Sequence, residues 1–152
     1  MKQVSKLKPI QTIHLAFCSA LLVFAIVSTS LVKDKIYFDA SFTQGDPLYP
    51  LFPVFGIVSI IAGIFLFKRK IAGIDDIESF EAKMVKYQVA FLIRCAFLEA
   101  AALMNTVGFL TTGNAVFLTA AILPFLALVI FRPTKANVTE ALNLHYPETE
   151  QL

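Results

Sequence analysis

Residues 88–110 (QVAFLIRCAFLEAAALMNTVGFL) form an apolar run that nonetheless carries Arg94, Glu99 and Asn105. Ionisable residues inside a membrane span are costly, and where they persist they mark ion pathways, proton relays or contacts with another helix. A carboxyl in hydrocarbon can bind and release a proton or cation, a nearby guanidinium can act as counter-ion or gate, and an amide can donate to a backbone carbonyl. With the apolar part taken from Val89 to Leu110 and a rise of about 1.5 Å per residue, Arg94 falls about 7 Å inside one boundary. Glu99 falls about 15 Å inside it, near the midplane of a core about 30 Å thick. Arg94 is shallow enough to snorkel to the headgroups and is expected to be only partly buried, so that lysine would replace it. Glu99 is too short to escape. It is expected to be uncharged, to face inward, and to hydrogen-bond a hydroxyl or carbonyl of the first or fourth span. The two are five residues and about 140° apart, poor geometry for a direct pair.

Helix periodicity places Arg94, Cys95, Glu99, Ala102, Asn105 and Thr106 on one arc, expected to face protein, and Ile93, Phe97, Met104 and Val107 on the lipid side. Ala101, Ala102 and Gly108 in or beside the polar arc let a neighbouring backbone approach. Buried polar side chains in spans often serve only to hold helices together, so a structural role for all three residues stands beside the functional one.

The elements that must position this span follow from composition. Of 152 residues, 57% are hydrophobic and 16% charged, which places the chain in a bilayer as a single integral membrane domain. Spans are expected at about 12–32, 51–67, 88–110 and 115–131, giving an all-α, four-transmembrane-helix bundle. The first run is longer than the roughly 7–15 apolar residues of a signal-peptide core, so it is read as a span. Its stripe of Gln11, His14, Cys18, Ala25 and Thr29 is expected to meet the third span, with His14 as a headgroup or packing residue. Gly45, Asp46 and Pro47 signal a turn in the first loop, with Tyr37, Phe38, Phe42 and Tyr49 as interfacial aromatics. Gly56, Ser59 and Gly63 make a small-residue stripe on the second span, and Pro53 suits its first turn.

Between spans 2 and 3, Ile71, Ile74, Ile77, Phe80 and Met84 recur at three or four residues, which predicts a cytoplasmic amphipathic helix over 68–87 started by Asp75 and Glu78. Thr111, Thr112, Gly113 and Asn114 predict a tight reversal into the fourth span. Pro124 there frees the carbonyl of Ala120. Folding the hairpin places Asn105 near it, so its amide is the expected donor. In the tail, Asn137 and Glu140 have capping-box spacing for a short surface helix.

Four spans put Lys2, Lys6, Lys8, Lys68, Arg69, Lys70, Lys83, Lys86, Arg132 and Lys135 on one side and only Lys33 and Lys35 on the other. By the positive-inside rule the protein is a multi-pass protein of the cell membrane (inner or plasma membrane) with both termini cytoplasmic. The acceptor pattern at Asn137 is discounted for that reason. Cys18 and Cys95 both lie in apolar spans and read as core residues rather than a disulfide. His14 and His145 are far apart and without clustered carboxylates, so neither a metal nor another cofactor is expected. No phosphate loop, nucleophile elbow or basic nucleic-acid stripe is present, so no nucleic-acid partner is expected.

The fragment FLEAAALMNTVGFL, residues 97–110, resembles the carboxylate-bearing helix of rotary ATPase proteolipid subunits, a resemblance that implies a proton-carrying Glu99. It covers that fragment alone, since those proteins have dense glycine repeats and carry the Glu in the last span, whereas this chain has six glycines. A lone membrane Glu is also similar to that of small multidrug exporters, which carry it in the first span. The expected function is a non-enzymatic structural or accessory membrane subunit, partnered by the lipid bilayer and by a second copy or another membrane protein. The alternative is a small proton- or cation-coupled transporter or channel using Glu99, with Arg94 and Asn105 completing the site.

Overall fold

Pro9 in its first turn and the absence of any later glycine or proline let the first apolar run propagate as one helix, α1, over Leu7–Val32. The computed structural model describes residues 5–41, 49–75 and 77–152; the expected turn at Gly45, Asp46 and Pro47, with Phe42 and Lys2, lies outside them. After a single 3-10 turn at Lys33–Lys35, the described helices are α2 (Leu51–Ala72), α3 (Phe80–Thr112), α4 (Ala115–Ile130) and the short α5 (Lys135–Ala141). A last 3-10 turn covers Glu148–Gln151. The described residues contain helices and no strands, as the all-α reading expects. Three helices, α1, α2 and α3, are long and apolar enough to cross a membrane. The fourth candidate is α4 taken with α5, which bends away from it by 81°.

The third helix is the hub, packed by α1, α2 and α4. Its contact with α2 uses the expected small stripe: Gly56, Ser59 and Gly63 are the buried residues of α2. A Cβ on Gly63 would stand 2.9 Å from the Phe97 Cβ, and one on Gly56 would stand 2.8 Å from the Asn105 amide nitrogen. Such separations are reached only where side chains are small. Most of the outward surface of α1 and α2 is apolar and exposed, including Leu15, Val23, Ile26 and Leu31 of the first and Ile57, Val58, Ile61 and Phe65 of the second. A belt of this kind is what lipid contact requires.

At 33 residues, α3 is about 50 Å long, well beyond a hydrocarbon core of about 30 Å. Its first turns are covered by protein: Phe80, Met84 and Tyr87 share a core with Leu7, Ile10, Val138 and Leu142. Ion pairs between Lys6 and Glu81 and between Lys83 and Glu148, each 3.7 Å, close the same end. Lys83 is buried there beneath the tail.

The separate amphipathic helix expected over 68–87 does not form. Its first residues finish α2 and its last begin α3. Ile71, Ile74, Phe80 and Met84 do face one core, but from the end of α2, the connection after it and the start of α3. Ile77, the middle of the predicted stripe, is 90% exposed. Glu78 reaches back to accept from the Asp75 N–H at 3.1 Å, as their spacing suggests. The backbone after them stays extended, however, and the cap is Ser79, which accepts from the Ala82 N–H at 3.4 Å. A hydrogen bond from Lys86 holds the Glu78 carboxyl below the usual carboxylate range. Likewise α5 exists, but its cap is Thr134, accepting from the Asn137 N–H at 3.2 Å, and not Asn137.

The reversal between α3 and α4 is as tight as expected. Gly113 takes φ 78° and its N–H bonds the Phe109 carbonyl at 2.8 Å, while Asn114 caps α4 by accepting from Val116. The first loop is tied to this turn, with Tyr37 N–H on the Gly113 carbonyl at 3.1 Å and Ala115 N–H on the Tyr37 carbonyl at 2.8 Å. A Cβ on Gly113 would lie 2.5 Å from the Lys35 carbonyl oxygen. Gly113→Ala is therefore expected to lose at least about 1–2 kcal/mol from the left-handed backbone alone. Denaturant unfolding in detergent micelles checks this, with Gly73→Ala, whose Cβ would meet nothing nearer than 3.7 Å, as the near-neutral control.

Candidate functional site

Arg94 departs most from the sequence expectation. It is 7% exposed and does not snorkel. Its guanidinium carbon lies 3.8 Å from the ring centroid of Phe67, 4.5 Å from that of Phe131 and 5.5 Å from that of Phe91. One Nη donates to the Phe131 carbonyl at 3.3 Å. A cation leaves water when aromatic faces and a carbonyl replace part of its hydration, and arginine, weakly hydrated and flat, is the residue best suited to this. No carboxylate among the described residues pairs with it, and its Nε has no hydrogen-bond partner.

The acceptor of that bond explains its place. Near the end of α4 the Arg132 N–H bonds the Val129 carbonyl, and Pro133 has no N–H, so the carbonyls of the last turn need other donors. They receive side chains from three helices. His14 Nε2 donates to the Leu128 carbonyl at 2.8 Å, Gln11 Nε2 to that of Pro133 at 3.0 Å, and Asn137 Nδ2 to that of Arg132 at 3.3 Å. The bond to a carbonyl fixes the His14 proton on Nε2. His14 is buried, with the Cys18 thiol 3.8 Å from the same nitrogen and the Phe91 ring centroid 6.0 Å from its own. The expected α1 stripe is right at His14 and Cys18, whereas Ala25 and Thr29 are only half-buried.

Arg94 sits level with Phe131, just past the end of α4. Five residues further along α3, Glu99 lies about 8 Å beyond Arg94 along the helix axis. Glu99 is half-buried at the edge of the core arc, between buried Leu98 and exposed Ala100. It makes no hydrogen bond or ion pair to any described residue, so the expected bond to the first or fourth span is not made. Arg94 and Glu99 are thus not brought together.

Asn105 is fully buried, and its amide donates to the carbonyls of Phe52 at 3.2 Å and Ala101 at 2.9 Å. The expected link to the Ala120 carbonyl beside Pro124 is replaced by one to α2. Unfolding the hairpin into a plane gives the level of Asn105 but not the rotation of α3, and that rotation aims the residue at the gap left by Gly56. Thr106, also buried, turns its hydroxyl onto the Ala102 carbonyl at 2.8 Å. Among the described residues no three of His, Cys, Asp or Glu gather as a metal site. Phe67 and Phe131 were not singled out in the sequence. The signal that could have found them is Arg132–Pro133, which ends α4 with carbonyls to satisfy.

Arg94→Lys is expected to lose on the order of 1–2 kcal/mol, because an ammonium cannot lie flat between two rings. A double-mutant cycle with Phe67→Leu, read by unfolding in micelles, should show coupling between the two positions, and additivity would reject the cage.

In comparisons with known proteins, no family model, no curated protein and no solved structure matches this chain.

Proposed function

We propose that this chain is a non-enzymatic accessory subunit of the cell membrane, crossing it four times with both termini in the cytoplasm, that works by lateral association through the Glu99 edge of α3. The observation that carries this reading is the half-buried, unpartnered state of Glu99. Hydrocarbon cannot satisfy a carboxyl, so a donor from another span must do so. Arg94, His14, Asn105 and Thr106 in the interior each donate to a backbone carbonyl, although the Arg94 Nε and the Asn105 Oδ1 have no partner. Their role is to hold the bundle.

The alternative, a proton- or cation-coupled transporter, is favoured by the same carboxyl, since a titratable group in a span is the usual carrier. The two readings separate at Glu99→Gln, which keeps a hydrogen-bonding group and removes the titratable one. With a photo-crosslinking residue at Leu103, half-buried one helical turn on, crosslinks to a second copy or another membrane protein should survive Glu99→Gln and disappear in Glu99→Leu. Crosslinks to lipid alone would reject the association. Proton flux into vesicles carried by the wild-type chain and lost in Glu99→Gln would select the transporter.

The orientation rests on basic residues, nine of the ten counted on one side being described at the termini end. A cysteine at Lys35 should react with an impermeant reagent from outside intact cells, and one at Glu81 only after permeabilisation. Native Cys18 and Cys95 are buried and should stay silent.

A further inference from the structure

Lys8 of α1 and Arg132, just past the end of α4, flank the mouth of a groove of about 520 Å³ whose apolar wall residues are Leu15, Leu22, Phe125 and Val129, with His14 and Cys18 beside them. Leu22 and Phe125 also line a second, deeper cavity of about 350 Å³, so the two adjoin. The deep part is bounded by Ala25, Leu126 and, from α3, Ala102 and Thr106. The Thr106 hydroxyl is turned back onto its own helix, so the deep part presents hydrocarbon alone. Both volumes fall within the roughly 300–1,000 Å³ of sites that hold small molecules.

Charge and shape point to one occupant. Neither Lys8 nor Arg132 has a carboxylate partner among the described residues, although Lys6, Lys83 and Lys86 at the same end are paired with Glu81, Glu148 and Glu78. A free guanidinium and a free ammonium across one opening suit a phosphate, which arginine grips through two parallel donors. From Ile130 to the level of Leu118, α4 rises about 18 Å. One leaflet of a core about 30 Å thick needs about 15 Å, so a leaflet's acyl chain fits the depth. Leu15, Leu22, Leu126 and Val129 are exposed, so the groove is open sideways. A two-chain lipid can therefore enter from the bilayer and leave its second chain there. We propose that this groove binds one anionic glycerophospholipid, its phosphate between Lys8 and Arg132 and one acyl chain lying between α1 and α4 past Leu126 and down to Ala25 and Leu118.

The test uses the full chain reconstituted in nanodiscs of equal phosphatidylglycerol and phosphatidylcholine, released into mild detergent and weighed intact by native mass spectrometry. The wild type should retain phosphatidylglycerol about tenfold over phosphatidylcholine, given the attraction of two basic side chains to an anionic lipid. Lys8→Gln with Arg132→Gln should bring the ratio close to one, and Lys68→Gln with Arg69→Gln, on α2, should leave it unchanged. Ala25→Phe should reduce retention of both lipids several-fold by filling the deep cavity. A second measurement is independent of any variant: phosphatidylglycerol with a diazirine in its acyl chain should label Leu22, Ala25 and Leu126 in the wild type ahead of Ile57 and Phe65 on α2. Equal retention of the two lipids, a preference untouched by the Lys8 and Arg132 pair, or even labelling around the bundle would overturn the site. Displacement of phosphatidylglycerol by an equal amount of oleate would assign the groove to a free fatty acid and overturn the phospholipid.

Discussion

Carbonyl groups at the end of α4 impose the constraint from which the rest of the termini end follows. A soluble helix can give its last four carbonyls to water, but in a bilayer each needs a donor from the protein or from the interface. With Pro133 lacking an N–H, the donors have to be side chains, and only long or ring-bearing ones can reach across from a neighbouring helix. Gln11 and His14 reach from α1 and Arg94 from α3, so three helices are fixed to one another at one level. A bond made to a carbonyl with no alternative donor is worth more than its net contribution in water, because its loss leaves the full cost of an unmet acceptor. His14, Gln11 and Arg94 are therefore best understood as one cap spread over two elements rather than as three functional candidates.

The two ends of the bundle are closed by different physics, and the middle is left to packing. At the termini end the cap is polar inside and apolar around it, with Tyr87 stacked on Phe91 and edge-on to Phe67 beside the guanidinium. At the far end, the Gly113 turn holds the first loop through backbone bonds, while Phe52, Tyr49 and Phe117 pack edge to face. Between these ends α2 meets α3 closely through glycine and serine, whereas α1 and α4 lie apart over Ala102 and Thr106. The helix with the fewest ties along its length is α1, anchored mainly by Leu7, Ile10, His14, Cys18 and Leu21 at one end and by Ser28 and Val32 at the other.

Much of this was legible in the sequence, and what was not has a common cause. Apolar run length and the Thr111–Asn114 reversal gave the helices and their order, and the spacing of Gly56, Ser59 and Gly63 gave the α2 face, because these are one-dimensional properties of a helix. Arg94, Asn105 and the 68–87 segment were misplaced because each depends on how one helix is rotated or ended relative to another. Snorkelling is the default for an arginine near a boundary, but three phenylalanines from three helices, each unremarkable in the sequence, keep it inside. The isoleucine repeat of 71–84 satisfied helical periodicity yet was divided by Gly73 and an extended Ser79. Periodicity reports which residues share a core, not that one helix presents them.

Arg94 and Glu99 stand on the same helix less than two turns apart, and their contrasting fates show how the bundle treats charge. A guanidinium has a flat hydrophobic face, so rings can replace water around it, and one of its N–H groups meets a carbonyl that needed a donor. A carboxyl offers no such flat apolar face, so aromatic rings cannot take the place of its hydration. The side chains that could have served it, His14 and Asn105, donate elsewhere. Glu99 is thus left without a partner among the described residues, and its position at the edge of the core arc lets a donor approach from outside without opening the bundle.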